Sequence, residues 1–180
     1  MPKVCVLLAN GFEEIEATTI IDVLRRAEVD VTTLGVEGVR VRGAHAIEIT
    51  ADATLAAGAQ EDWDLVVLPG GLPGAHTLRD DAGVQALVTR QHERGGRLAA
   101  ICAAPIALGR AGVLAGKRAT SYPGFGGELT GAELVDERVV RDGTVITSQG
   151  PGTAMEFALQ LVTELCGGDK ATELRQGMRV

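Results

Sequence analysis

The sequence has few aromatic side chains and no cluster of basic ones. Aromatic residues make up 3% of the 180 residues, and the formal net charge is −7. Proteins that bind nucleic acids present positive surfaces, and those that bind single strands also present aromatic rings on which bases stack. Lysine and arginine never form a run longer than a pair. We therefore expect no nucleic-acid surface.

Long hydrophobic runs are also absent. No run approaches the roughly 18 apolar residues that a membrane-spanning helix needs. The first residues, MPKVCVLL, lack the longer apolar core and the cleavage site of a secretory signal. We therefore expect no membrane segment and no export, and we predict a cytoplasmic protein.

Cysteine is scarce, and the three cysteines lie far apart in the sequence, at Cys5, Cys102 and Cys166. Without an export signal, an odd number of scattered cysteines is typical of free thiols in a reducing compartment. No CxxC pair or cysteine–histidine cluster has the spacing of a zinc site. We therefore predict no metal and no cofactor.

Short apolar strands alternate with amphipathic helices along the whole chain. The length suits one domain with a large core, so this order predicts a single α/β domain over residues 1–180 with a mostly parallel sheet. The predicted strands include 4–9, 30–34, 64–68, 98–101 and 144–148, and the predicted helices include 13–27, 82–95 and 155–166. We also predict a hairpin or two short strands within residues 36–50, a hairpin around Asp142-Gly143, and a short helix or a tail over 171–180.

One cysteine, Cys102, lies where a buried strand turns at once into a helical pattern that begins at Pro105. The residues two before and two after it are Ala100 and Ala104, and such small residues permit the tight packing of a nucleophile elbow. A helix N-terminus at this corner favours the thiolate, which is the nucleophilic form. The alternative is a small buried side chain, as most lone cysteines are.

Several further segments follow predicted strands and are expected at the same edge of the sheet. They are residues 11–16, the Gly70-Gly71 turn and the glycine-rich loop 149–152. Open parallel sheets bind their ligands beyond the carboxyl ends of the strands, which is where Cys102 also lies. This convergence favours the reactive cysteine over the buried one. In the last loop, Thr153 is predicted to be the N-cap of the final long helix.

Five segments, in order along nearly the whole chain, resemble the ThiJ/PfpI superfamily and, within it, the branch of the human Parkinson-disease deglycase. They are GFEEIEA at 11–17, DVLRRA at 22–27, VLPGG at 67–71, AAICAAP at 99–105 and SQGPGT at 148–153. The resemblance implies a flavodoxin-like three-layer sandwich that forms a homodimer. We expect an apolar first helix with exposed Ile15 or Ile20 to contribute to the interface.

The resemblance also implies the roles of four residues in the site. Cys102 is the implied nucleophile, and Glu16 is implied to be a protonated carboxylic acid that donates a hydrogen bond to the thiolate. A carboxyl beside an anion in a partly buried pocket has a raised pKa, which agrees with that role. The backbone N–H groups of Gly71 and Ala103 are the implied oxyanion donors.

Two departures from the family pattern matter. Protease-like members place a histidine directly after the cysteine, whereas this chain has Ala103, so we expect no Cys-His protease dyad. Another family histidine near the thiol aligns with Tyr122, whose phenol is a poor base at neutral pH. An arginine that the family reaches across its dimer aligns with His45, which is therefore a candidate proton shuttle to the partner's thiol. His76, which follows the Gly70-Gly71 turn, is a further candidate for the pocket.

Two kinds of function fit these residues. In the first, the chain is a glutathione-independent glyoxalase or deglycase, in which Cys102 attacks a small reactive dicarbonyl or a glycated protein or nucleotide, and Glu16 moves protons. In the second, it is an oxidative-stress sensor or chaperone whose Cys102 is oxidised to sulfinic acid without turnover. Hydratase chemistry on another small electrophile, such as an isonitrile, remains a third alternative.

Overall fold

The computed structural model describes all residues from 1 to 180. The strands are β1 (Lys3–Leu8), β2 (Asp30–Gly35), β3 (Arg40–Arg42), β4 (Glu48–Thr50), β5 (Ala53–Thr54), β6 (Leu65–Leu68), β7 (Arg97–Ile101), β8 (Arg118–Ala119), β9 (Glu133–Leu134), β10 (Val139–Asp142) and β11 (Val145–Ser148). The helices are α1 (Glu14–Arg26), α2 (Leu55–Gly58), α3 (Gly74–Asp80), α4 (Ala82–Glu93), α5 (Pro105–Arg110), α6 (Ala154–Cys166) and α7 (Gly168–Met178).

Seven strands form the central sheet in the order β10-β11-β7-β6-β1-β2-β5. All neighbours are parallel except β10 and β11, which form the hairpin predicted around Asp142-Gly143. In register, Val4 of β1 lies beside Val31 on one side and Leu65 on the other. The β6 and β7 residues are buried on both faces of the sheet, with only Arg97 partly exposed, because helices cover both.

Helices flank the sheet in two groups. One group consists of α1, α6 and α7, and the other of α2, α3, α4 and α5. The buried side chains of the sheet and of both groups form one continuous hydrophobic core. The predicted α/β fold with a mostly parallel sheet is therefore confirmed. None of the helices has the length and hydrophobicity that a bilayer crossing requires.

The first helix, α1, carries one face of the site. Its apolar residues recur at helical spacing, so Ala17, Ile20, Val23 and Leu24 are all buried. The prediction of an exposed Ile20 is wrong for this reason, whereas Ile15 is 56% exposed. The inward stripe also includes position 16, so this glutamate is carried into the interior beside the carboxyl ends of the strands.

Several elements differ from the sequence prediction. Helix α3 was not predicted, because Pro73 and Gly74 at its start are typical of a turn. Helix α7 begins at Gly168, three residues before the predicted start. Thr153 is the N-cap residue of α6, as predicted, but its side chain makes no capping hydrogen bond, because its hydroxyl bonds with Ser148 and Gly150 instead.

Candidate active site

The corner at Cys102 is a sharp and strained turn. Cys102 has a φ of +65°, in the left-handed region that costs an L-residue energy. Strand pairing holds it there, because its N–H donates to the Ser148 carbonyl (2.9 Å) and its carbonyl accepts from the Tyr122 N–H (2.8 Å). Ala100 and Ala104 are fully buried on either side, as an elbow requires. The side chain is held in place and 8% of the residue is exposed.

Two backbone N–H groups act on the sulfur of Cys102. They belong to Gly71, in the turn after β6, and to Ala103, and both lower the pKa of the thiol. These are the two donors that the resemblance implied. The helix that was expected to supply this field, α5, has only six residues and begins three positions after Cys102. The local donors, rather than a long helix dipole, are therefore what favours negative charge at the corner.

Glu16 lies against the thiol from the other side and is completely buried. Its Oε2 accepts the Gly70 N–H at 2.8 Å, whereas its Oε1 has no hydrogen-bond partner. The pKa of Glu16 is raised to about 7, chiefly by burial; the hydrogen bonds from Gly70 and Cys102 lower it, and the charge of Glu13 adds a smaller rise. A carboxyl with this pKa both holds and releases a proton near neutral pH.

The two groups are coupled through one negative charge. Burial raises the pKa of the Cys102 thiol to about 12, and an ionised Glu16 beside it contributes through its charge and hydrogen bond. The prediction that the corner simply favours the thiolate is therefore wrong while Glu16 is ionised. When Glu16 holds the proton, its part of that opposition disappears, and the N–H groups of Gly71 and Ala103 favour the thiolate against burial. The pair therefore carries one charge that resides on oxygen or on sulfur.

The turn after β6 can approach Cys102 and Glu16 this closely only because it consists of glycines. A Cβ on Gly70 would lie 2.5 Å from the Cβ of Cys102 and 2.8 Å from Glu16 Oε2. Gly71 has a φ of +94°, and a Cβ there would lie 2.4 Å from the backbone nitrogen of Glu13. The backbone therefore occupies the space that a side chain would need.

We expect Gly70→Ala to destabilise the protein by about 1–3 kcal/mol, because the added methyl overlaps Cys102 and Glu16. Urea denaturation measures the change. Gly177→Ala is the matched control, because no atom lies within 4 Å of its added methyl in α7, and it should leave stability equal or slightly higher. Equal stabilities for the two variants would contradict the close approach.

The N-terminus of α1 meets the hairpin of β3 and β4 next to this pair. Glu13 caps α1 by accepting the Glu16 N–H (2.7 Å), and Glu14 binds both the backbone N–H (2.6 Å) and Nδ1 (2.8 Å) of His45. These three side chains are the one grouping whose ligand atoms are close enough for a metal ion. Since Glu14 already accepts N–H groups from the hairpin, we assign the grouping to anchoring the hairpin.

The remaining candidate residues lie further from the thiol. His45 is exposed and bound to Glu14 of its own chain, which raises the pKa of its imidazole by hydrogen bonding and charge. His76 is half-buried on α3 and makes no hydrogen bond to Cys102 or Glu16. Tyr122 is 47% exposed and adjoins Cys102 through its backbone, while its ring packs edge-on against Phe125.

Tyr122 also lines a cavity of about 450 Å³, shared with Ser121, Asp136 and Gln149. Cys102 itself does not line it. Sequence reasoning did not find Glu13 or the Glu14–His45 contact. The latter joins residues 31 positions apart, and no local pattern signals such a pairing.

Comparison with known proteins gives a consistent result. The sequence model of the DJ-1/PfpI family matches residues 2–164. Protein dj-1beta of Drosophila melanogaster is 44% identical over 178 residues, which cover 97% of this chain and 95% of that protein. The glutathione-independent glyoxalase DJR-1.2 of Caenorhabditis elegans is 36% identical over 164 residues, covering 90% of this chain and 87% of that protein.

Solved structures agree with the sequence matches. The crystal structure of Drosophila melanogaster DJ-1beta superposes with a TM-score of 0.96 at 43% identity, covering 99% of this chain and 98% of that one. Oxidized Toxoplasma gondii DJ-1 superposes with a TM-score of 0.95 at 36% identity, with the same coverage. The chain therefore belongs to the DJ-1/PfpI family and has its flavodoxin-like fold.

Proposed function

We propose that the protein is a glutathione-independent glyoxalase that converts methylglyoxal to lactate, with Cys102 as nucleophile and Glu16 as proton carrier. The observation that carries the proposal is the coupled pair. A completely buried carboxyl with a pKa of about 7 and an unpartnered Oε1 lies beside a thiol at a strained corner. The relative described as a glutathione-independent glyoxalase supports the choice of reaction.

The reaction uses one proton that moves within the site. With the proton on Glu16, the Cys102 thiolate adds to the aldehyde carbon, and the new oxyanion takes that proton to give a hemithioacetal. The Glu16 carboxylate then removes the hydrogen of the former aldehyde carbon as a proton, and the hydroxyl proton of the hemithioacetal passes to the neighbouring carbonyl oxygen. Glu16 returns its proton to the neighbouring carbon of the enediolate formed in this way. The first carbon is oxidised and the second reduced, which leaves a lactoyl thioester. Water hydrolyses the thioester to lactate and restores the thiol.

The test is lactate formation from methylglyoxal without glutathione, measured for the wild type, Cys102→Ser and Cys166→Ser. We expect turnover by the wild type, none above background for Cys102→Ser, and undiminished turnover for Cys166→Ser. Cys166 is a free, partly buried thiol at the end of α6 and takes no part in the site. Absence of turnover by the wild type would overturn the proposal. The same thiol chemistry extends to glycated proteins and nucleotides as deglycase activity.

A second function, oxidation sensing, is favoured by a specific observation. No second cysteine lies at the corner, because Cys5 is buried in β1 and Cys166 is at the end of α6. Two equivalents of hydrogen peroxide then take the thiol to sulfinic acid, releasing two waters, with no disulfide. We expect dilute peroxide to add two oxygens at Cys102 in the wild type. Oxidation confined to Cys5 or Cys166 would contradict this function.

A further inference from the structure

The capping residue of α1, Glu13, links the helix to the glycine turn of the site. Its Oε2 accepts the Glu16 N–H at 2.7 Å, and its backbone N–H donates to the Gly70 carbonyl at 2.8 Å. Gly70 in turn donates its N–H to Glu16 Oε2 at 2.8 Å. Glu13, Gly70 and Glu16 therefore close a ring of hydrogen bonds beside the thiol of Cys102.

Glutamate is an unusual residue at a helix N-cap, where serine, threonine, aspartate and asparagine are preferred. A shorter polar side chain would satisfy the same N–H. What glutamate adds is a negative charge in a place where its side chain is only 10% exposed. Charges held in such places act strongly on their neighbours, because little water screens them.

Few other charged groups face this carboxylate. Nδ1 of His45, in the hairpin, lies 3.9 Å from Glu13 Oε1. The Glu14 carboxylate is hydrogen-bonded to the hairpin through His45. No lysine or arginine pairs with Glu13. On the site side, the titratable groups are Glu16 and Cys102. The charge of Glu13 is therefore directed at Glu16 with only the His45 ring to offset it.

We propose that Glu13 is a positioning residue for the reaction: it orients Glu16 towards Cys102, and its fixed negative charge adds to the effect of burial in holding the proton on Glu16. This inference rests on the proposed function for its consequence in turnover, but not for its effect on Glu16. The structure supports it in two ways. The ring of hydrogen bonds fixes the orientation, and Glu13 is the carboxylate whose charge raises the pKa of Glu16.

The test is the titration of the Glu16 carboxyl, followed by carbon-13 NMR, in the wild type and in Glu13→Gln. The amide oxygen of glutamine still accepts the Glu16 N–H, so the cap remains and only the charge is lost. We expect the titration midpoint of Glu16 to fall by roughly 0.5 on the pH scale.

Two further variants separate this role from a merely structural one. Glu13→Asp restores the charge and should restore the wild-type midpoint. Glu14→Gln removes an equally buried carboxylate that bonds with the hairpin, and it should leave the midpoint of Glu16 unchanged. An unchanged midpoint in Glu13→Gln, or an equal shift in Glu14→Gln, would overturn the inference.

The titration is measured without substrate, so its result does not depend on the proposed glyoxalase activity. A shifted midpoint with no lactate formed by the wild type would leave the role of Glu13 standing and reject the reaction. A normal rate of lactate formation with an unshifted midpoint would reject the role of Glu13 and leave the reaction standing. If the role of Glu13 and the glyoxalase reaction are both correct, the pH profile of lactate formation should move in Glu13→Gln by the same amount as the titration midpoint of Glu16.

Discussion

Glu16→Gln is expected to lower the rate of lactate formation by about 10²–10⁴-fold, because the variant cannot carry a proton between the two carbons of the substrate. The same variant should still react with iodoacetamide at Cys102 near neutral pH. Glutamine removes the neighbouring charge that opposes the thiolate, and the N–H groups of Gly71 and Ala103 remain. The measurements are lactate release and the rate of Cys102 alkylation, followed by mass spectrometry.

The two measurements together identify what Glu16 does. Loss of both turnover and alkylation would mean that Glu16 serves only to ionise the thiol. Retention of both would mean that it takes no part in the reaction. Cys102→Ser sets the background of each measurement, and Cys166→Ser shows whether the alkylated thiol has been assigned correctly.

The stability of the wild type is expected to fall as the pH rises from 4.5 to about 7, and Glu16→Gln should abolish most of this fall. Burial raises the pKa of Glu16 from the ordinary value of 4.5 to about 7. The folded protein therefore keeps a proton that the unfolded chain releases above 4.5. The stability from this group is complete below that pH and is lost as the pH rises towards 7. The expected loss is on the order of 3 kcal/mol.

Urea denaturation of both proteins at about pH 4.5 and about pH 8 measures this difference. Glu93→Gln, on the exposed face of α4, is the control and should follow the wild type at both values. If Glu16→Gln and the wild type lost stability in parallel, Glu16 would not be the group that holds the proton.

The position of the nucleophile could be predicted from the sequence because its signals are local. A buried strand, two alanines around Cys102 and a proline at the start of the next helix specify an elbow without any distant contact. The mostly parallel sheet followed in the same way from short apolar segments alternating with helices. Glu16 was placed in the site through the family resemblance, and the apolar stripe of α1 explains why it faces inward.

The charge state of the site could not be predicted in this way. The pKa of the Cys102 thiol depends on burial and on Glu16, which lies 86 positions earlier in the chain, so only the folded structure gives its direction. The contacts of Glu13 with Gly70 and of Glu14 with His45 likewise join distant segments. Helix α3 was missed because the residues at its start favour a turn when considered alone.

The most direct test of the coupled pair is to find where methylglyoxal becomes attached during turnover. Samples are quenched with acid, in which a thioester is stable, then digested with pepsin at low pH and analysed by mass spectrometry. We expect a lactoyl thioester on the peptide that contains Cys102, absent from those with Cys5 and Cys166, and absent in Glu16→Gln, where the proton transfer that forms it is blocked. Lactate formation by the wild type with no adduct on Cys102, or an equal adduct in Glu16→Gln, would contradict the coupled pair.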